Sequence, residues 1–421
     1  MRIGLLGLGT VGTGVLEMLH ANGDLIASRA GAPIEVVACL VKDPTKERGG
    51  APCVTTDFQE IIKRDDIDVI VEVIGGVEPA WTYIAKSLES GKHVVTANKE
   101  LMARHGHDLV KSAQEKGLDL LYEASACGGI PVIQALNNQL AGNHVQAVMG
   151  IVNGTTNYIL TRMHDDGATY EEALEEAQDK GYAEADPTAD VENLDAQSKL
   201  AILASLAFDG RVRPDDVHRE GISEIDSREI EFAEMLGYRI KSLAVASRSN
   251  GSLEVRVHPA MVPLTNPLSK VDGANNAILL EGDFVGNVML FGPGAGKEAT
   301  ASAVVGDLIE ICRNHHSGAV RRVDSMSMND IPIKPREEFY TRYYVRVTSE
   351  DRPKALGQIA LAFGDNEVSL SALEMHELSD NRSELIFLTH RAKEGDFLNA
   401  LEAIKQLPMI EQIDSWLRVA E

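Results

Sequence analysis

The first twelve residues constrain the fold more than any other stretch. Residues 3–6 form an apolar run that breaks at once into Gly7-Leu8-Gly9-Thr10-Val11-Gly12, and a helical pattern follows with Val11, Val15, Leu16 and Leu19 on one face. A glycine triplet of this spacing is informative when a strand precedes it and a helix follows. Gly7 allows the tight turn, Gly9 lets the main chain approach a pyrophosphate, and Gly12 permits close packing of helix on strand. The helix N-terminus brings unpaired N–H groups and partial positive charge to phosphates. The whole turn, Leu8, Thr10 and Val11 included, is therefore a candidate dinucleotide site.

The residues behind the turn agree. Short apolar strands at 34–41, 68–73, 93–96 and 118–122 alternate with helical stretches at 58–63, 81–88 and 108–115. Strands apolar on both faces, separated by helices, imply a doubly wound parallel sheet of Rossmann type over residues 1–130. A NAD site usually places an acid at the end of the second strand, on the ribose hydroxyls. Here that strand ends at Val41 and Lys42 follows, with Lys46 and Arg48 nearby. Lys42 reads either as the partner of a 2′-phosphate or as a solvated surface cation, so NADP is expected and NAD stays open. Gly75 and Ala97 follow later strands at the edge where such sheets bind ligands, and join the candidate cofactor contacts.

The rest of the 421 residues is enough for one or two further domains. Residues 131–325 read as an α+β unit, with helices at 169–178 and 194–206 and strands at 242–247, 253–259, 276–282 and 287–291. An apolar helix at 300–312 is expected to pack back on the first domain. Residues 326–340 read as a linker, and 341–421 carry a βαββαβ order, the ferredoxin-like split unit. The formal net charge of −24 argues against nucleic-acid and anionic-membrane partners. No secretory leader is expected from the opening residues, and no run approaches ~20 apolar residues. Cys39, Cys53, Cys127 and Cys312 are scattered without metal-like spacing, so a reduced, cytoplasmic chain is expected. The twelve histidines form no ligand cluster, and zinc is not indicated.

Several further segments resemble homoserine dehydrogenases over nearly the whole chain. They are Thr96-Ala97-Asn98-Lys99, the loop Glu123–Pro131, Asn153-Gly154-Thr155-Thr156-Asn157-Tyr158, the stretch from Ala177 to Lys199, and Phe291–Gly296 followed by Thr300. The stretch from Ala177 is the most specific and departs from the family signature at Asn193, where the signature has Gly; Asn tolerates left-handed backbone angles better than most residues. The resemblance implies NAD(P)-dependent interconversion of L-homoserine and L-aspartate 4-semialdehyde, in threonine, methionine and isoleucine biosynthesis. It implies a monofunctional enzyme, with no aspartate kinase domain expected before Met1. It places Lys99 near nicotinamide and substrate, Thr155 on the substrate side, and Gly296 in a loop closing over the nicotinamide. It assigns a monovalent cation, Na+ or K+, to Glu123, Ala126, Gly128 and Ile130, mostly through backbone carbonyls. Ala126 and Cys127 depart from the commoner residues of that loop, which backbone ligation would tolerate.

Hydride reduction of an aldehyde leaves an alkoxide that needs a proton, and the reverse direction needs a base. Lys199 follows Asp195 by four residues, so the two share a helix face. They read as a surface ion pair or, with the resemblance, as the proton-transferring lysine and its partner. Burial would lower the lysine pKa while Asp195 opposes that. Glu184 resembles the family's partner for the substrate ammonium, and Asp190 is a second acid on the same side. Two rivals remain: another NADP-linked oxidoreductase of amino-acid metabolism, and a non-catalytic sensor. The Glu184–Asp195–Lys199 spacing argues against the first, and the retained lysines argue against the second.

The C-terminal segment resembles an ACT domain, a regulatory fold that binds amino acids between chains. Its usual Asp-x-Pro-Gly opening is here Asp351-Arg352-Pro353-Lys354, and Met375 stands near a place where Gln is common. The missing glycine closes the backbone to a ligand. These departures argue against a threonine effector and for a role in assembling a homodimer or homotetramer.

Overall fold

A computed structural model describes residues 1–46, 50–249, 251–319, 326–378 and 381–420. Its first sheet has six strands, all parallel, in the spatial order Val54–Thr55, Glu35–Leu40, Arg2–Leu6, Val69–Glu72, His93–Thr96 and Leu120–Leu121. Leu6 pairs with Leu40 on one side and Glu72 on the other. The glycine turn thus leaves the carboxyl end of a central strand, where the strand order reverses and open α/β sheets bind ligands. The helix Lys297–Ser317 returns to this unit: Val304, Val305, Leu308 and Ile311 share a core with Ile3, Leu5 and Val15. It meets the helix Thr10–Ala21 at Gly14, where a Cβ would lie 2.8 Å from the Lys297 carbonyl.

In the chain up to residue 130, two helices differ most from the sequence reading. The one expected at 108–115 runs from Lys99 to Glu115, because the Asn98 side chain accepts from the Leu101 amide at 3.1 Å and caps it nine residues earlier. An unexpected helix, Gly23–Ala30, follows the first and stops where Gly31 turns left-handed. Eight residues with only Ile26 and Ala30 buried give too little periodicity to announce it.

The second sheet has eleven strands. Its main path runs Gly286–Pro293, Asn275–Gly282, Val145–Ile151, Tyr238–Ser249, Ser252–Pro263, Ile410–Val419, Tyr340–Glu350, Arg382–Thr389 and Leu370–Leu378. The last four strands belong to the C-terminal segment and stand in the order fourth, first, third, second of its βαββαβ chain. Helices Ala355–Asp365 and Glu394–Lys405 cover one face of them, through Tyr343, Val345, Ile359, Phe363, Phe397 and Ile404. Tyr344, Ile386 and Leu417 on the other face join a core with Ile222, Ile230 and Phe232 of the middle unit. The C-terminal module is therefore fused to its neighbour. The join is a two-residue parallel ladder, Ala260 with Arg418 and Met261 with Val419. No helix among the described residues is long and apolar enough to cross a membrane.

Candidate active site

The glycine turn opens onto a cleft of about 1430 Å³ lined by Gly7, Gly9, Thr13, Lys42, Lys46 and Ile74 among others. The three glycines do different work. Gly7 has φ +102 and lies against the Val73 carbonyl, which a Cβ would approach to 2.9 Å. A Cβ on Gly12 would stand 2.2 Å from the Gly7 carbonyl, so this glycine makes room for the turn itself. A Cβ on Gly9 would meet nothing within 4 Å, which leaves the main chain there open to a ligand. Gly9 caps the helix without a side-chain hydrogen bond, and the first-turn amides stay available to phosphate oxygens. Asp43, the acid nearest the end of the second strand, accepts from the amide and hydroxyl of Thr45 at 2.9 and 2.6 Å. Lys42 and Lys46 face the cleft instead. Arg48 lies outside the described residues.

A buried acid that the sequence reading passed over shapes the far side of the cleft. Glu72 accepts from the Ile74 amide at 2.8 Å, the Gly75 amide at 3.3 Å and the Thr96 hydroxyl at 2.6 Å. Thr96 in turn accepts from the Asn98 amide, and the Asn98 side chain donates to the Gly76 carbonyl at 2.6 Å. Gly75 and Ala97, on adjacent strand ends, are thereby held in one rigid rim. An acid at the end of an apolar strand was the available signal.

Lys99 heads the next helix, and its ammonium contacts Asp195 of the middle unit. The other Asp195 oxygen takes the Lys199 ammonium at 2.8 Å, and Lys199 also donates to the Val152 carbonyl at 2.8 Å. The Lys199 side chain is 9% exposed and that of Lys99 is 47% exposed, so one lysine is sequestered and the other reaches solvent. Burial would raise the Asp195 pKa, but Lys199 and Lys99 together hold it well below the usual carboxylate range. For Lys199 the outcome reverses the desolvation expectation: burial pulls its pKa down, yet Asp195 outweighs it and the net direction is up. Lys199 is an ammonium at neutral pH.

Asn153, the first residue of the quoted Asn-Gly-Thr-Thr segment, was given no role from sequence. Its amide nitrogen donates to Asp190 at 2.7 Å and to Asp195 at 2.9 Å, while its oxygen caps the helix Gly154–Asp166 at the Thr156 amide. Burial raises the Asp190 pKa. The Thr155 hydroxyl donates to the Tyr182 carbonyl at 2.6 Å, which ties this helix to the acidic loop. Glu184 lies on that loop and is exposed; the Gln178 amide holds its carbonyl at 3.1 Å. The structure thus brings Lys99, Asp190, Asp195 and Lys199 into one network and leaves Glu184 outside it.

The loop assigned to a cation packs against the loop that carries Gly296. A Cβ on Gly128 would lie 2.6 Å from the Gly294 carbonyl, and the Gly129 amide donates to the Pro293 carbonyl at 3.1 Å. Cys127 and Gly128 turn left-handed there, with φ 58 and 44. The Glu123 carboxylate accepts from the Ile133 and Gln134 amides at 2.9 and 2.7 Å, while Ile130 offers its carbonyl to Val132 at 2.8 Å. Ala126 and Cys127 are buried; burial pushes the Cys127 thiol up to about 11, so it stays protonated. Gly296 caps the helix Lys297–Ser317 at φ 116 with open space beside it. Among the described residues no cluster of three or more His, Cys, Asp or Glu could hold a metal.

A glycine-turn cleft at the strand switch point, with Lys99 on the helix after a neighbouring strand paired to a buried Asp–Lys couple, fits the class of nicotinamide-dependent oxidoreductases. Comparison with known proteins gives the particular family. Residues 7–123 match the family model "Homoserine dehydrogenase, NAD binding domain" and residues 131–309 the model "Homoserine dehydrogenase". The homoserine dehydrogenase of Corynebacterium glutamicum is 43% identical, over 99% of this chain and 95% of its own length. That of Bacillus subtilis is 39% identical, over 100% and 98%. A crystal structure of a homoserine dehydrogenase from Thiobacillus denitrificans superimposes with a TM-score of 0.95 at 40% identity, over 100% of this chain and 98% of that one. The chain belongs to the homoserine dehydrogenase family and is an NAD(P)-dependent oxidoreductase.

Proposed function

We propose that Lys199, held by Asp195, moves the proton in the interconversion of L-homoserine and L-aspartate 4-semialdehyde. The observation that carries this reading is the sequestered Lys199 ammonium, fixed between Asp195 and the Val152 carbonyl and joined through Asp195 to Lys99 at the cofactor rim. The nicotinamide supplies the hydride chemistry when bound. In aldehyde reduction the charged Lys199 donates its proton to the oxygen of the forming alcohol. In alcohol oxidation it first loses that proton and then accepts one from the substrate hydroxyl. Asp195 fixes the lysine in place, and Lys99 neutralises the other Asp195 oxygen while reaching the rim. Glu184, exposed and outside the network, pairs with the substrate ammonium; Asp190 and Thr155 shape the same pocket.

The cofactor reading is NADP, with NAD as a second substrate. Its support is the turn that occupies Asp43 and leaves Lys42 and Lys46 on the cleft. A hyperthermophilic archaeal homoserine dehydrogenase solved in complex with NADPH superimposes at a TM-score of 0.63 and 26% identity, over 74% of this chain and 97% of that one. A monovalent cation, Na+ or K+, fits the loop at Glu123, Ala126, Gly128 and Ile130, because main-chain carbonyls suit a hard ion. The Glu123 carboxylate is committed to two amides, so this residue would offer its carbonyl. The C-terminal module is read as ACT-like. Lys354 holds the position before its first helix at φ 76, a left-handed angle that a glycine would meet without cost, and its side chain argues against a threonine effector there. A homodimer or homotetramer is the assembly this reading favours.

Homoserine-dependent cofactor reduction by the native chain tests the assignment, with Glu184→Gln as the substrate-side variant. Loss of a charge-assisted contact worth about 1.5–3 kcal/mol should raise the homoserine KM tenfold or more and leave the NADP KM unchanged. An unchanged homoserine KM would remove Glu184 from the site.

A further inference from the structure

We propose that Asn193 is a positioning residue for the Lys199–Asp195 pair, and that it ties the catalytic helix to the C-terminal module through Glu220 and Arg418. The inference rests on the catalytic reading of Lys199. Asn193 is fully buried, sits in the left-handed region at φ 59, and caps the helix Leu194–Ala207 that carries both Asp195 and Lys199. A glycine would meet that backbone angle unaided. The side chain is therefore beyond what the turn requires, and it makes two bonds. Its nitrogen donates to the Glu220 carbonyl at 2.7 Å, and its oxygen accepts from the Ser242 hydroxyl at 3.0 Å.

The segment around Glu220 holds the same loop at two more points. Arg219 donates to the Glu192 carbonyl at 2.8 Å, and the Ile222 amide donates to the Val191 carbonyl at 2.9 Å. The Glu220 side chain faces the other way. Its two oxygens accept from Arg418 at 2.7 and 2.8 Å, a bidentate pair. Arg418 is buried on the module's last strand, in the two-residue ladder that joins the module to the middle unit, and its third nitrogen donates to Glu394 of the module helix at 2.7 Å. Glu220 and Arg418 both remain charged: His218 and Arg418 overcome the cost of burying Glu220, and Glu220 with Glu394 that of burying Arg418. A shift of the module's last strand thus pulls on the residue whose carbonyl holds Asn193. This unbroken path of polar contacts runs from the module to the residue capping the catalytic helix.

The test is a double-mutant cycle on kcat in the full chain, with Asn193→Gly and Glu220→Gln. Asn193→Gly keeps the backbone and drops both bonds; kcat should fall about fivefold while the NADP KM stays put. Glu220→Gln should lower kcat in the native background and add nothing once Asn193 is Gly. Native kcat in Asn193→Gly, or independent effects of the two changes, would each overturn the proposal. Full turnover in Lys199→Ala would instead sink the catalytic reading beneath it, whatever the Asn193 variants do.

Discussion

At the scale of single residues, the site is a balance of two opposed effects on Lys199. Burial favours the neutral amine, and the Asp195 carboxylate favours the ammonium. Asp195 wins, with Asp190 acting in the same direction. Because the lysine pKa is raised, the form that protonates an alkoxide is the resting form, and the form that accepts a proton appears only as pH rises. Homoserine oxidation should therefore climb with pH on the alkaline side. Replacing Asp195 by Asn removes the counter-charge and leaves desolvation dominant. The alkaline limb of the oxidation profile should then move to lower pH, with a reduced plateau. A limb that stays in place, in kcat–pH profiles of native and Asp195→Asn, would show that Lys199 does not set it. The pair itself was legible in the sequence, because a spacing of four places two side chains on one helix face. Asn153 was not legible: it joins Asp190 and Asp195 across 37 and 42 residues of chain, a distance that no local pattern reports.

At the scale of elements, the glycine turn shows how far a motif carries. Its position between strand and helix was readable, and so was the parallel sheet behind it. The division of labour among the glycines needed coordinates. Gly12→Ala would drive a methyl into the Gly7 carbonyl and should cost roughly 1–3 kcal/mol of stability, read as a lower melting temperature without cofactor. Gly9→Ala meets open space and should melt like the native chain, yet its methyl occupies the pyrophosphate approach and should raise the NADP KM. Equal effects of the two changes on melting would contradict this assignment. Helix boundaries were less legible. The helix from Lys99 begins where the Asn98 cap puts it, and an Asn before Lys-Glu is a weak sign when Gly106 interrupts the pattern downstream. Gly106 is there for packing: a Cβ would stand 2.9 Å from both Met102 and Met326.

At the scale of the whole molecule, the least legible feature is the fusion of the C-terminal module to the catalytic sheet. Its βαββαβ order was readable from alternation and periodicity. The join is a ladder of only two residue pairs, too short to leave a signature. Charge secures it. Arg418 pairs with Glu220 and Glu394 on one side, and Arg346 with Glu229, Glu384 and Asp226 on the other. Burial would raise the carboxylates of Glu220, Glu384 and Glu394, but His218 and Arg418 hold Glu220, and arginine partners hold Glu384 and Glu394, below the usual range. Groups depressed in this way stabilise the fold above their unfolded pKa of about 4.3, and the contribution is lost as pH falls through the depressed values. The melting temperature should drop steeply below about pH 4.3, and Glu220→Gln should flatten that drop while melting lower at neutral pH. An acid limb of the same slope in native and variant proteins would place the pH dependence elsewhere.

The central claim is that Lys199 transfers the proton while the Rossmann unit independently holds the cofactor. Its most direct test follows nicotinamide absorbance during homoserine oxidation in native and Lys199→Ala proteins, with NADPH binding titrated in parallel by fluorescence. Loss of the lysine should lower kcat about 10²–10⁴-fold and leave NADPH affinity unchanged. Turnover near the native rate in a Lys199→Ala protein that still binds NADPH would contradict the account.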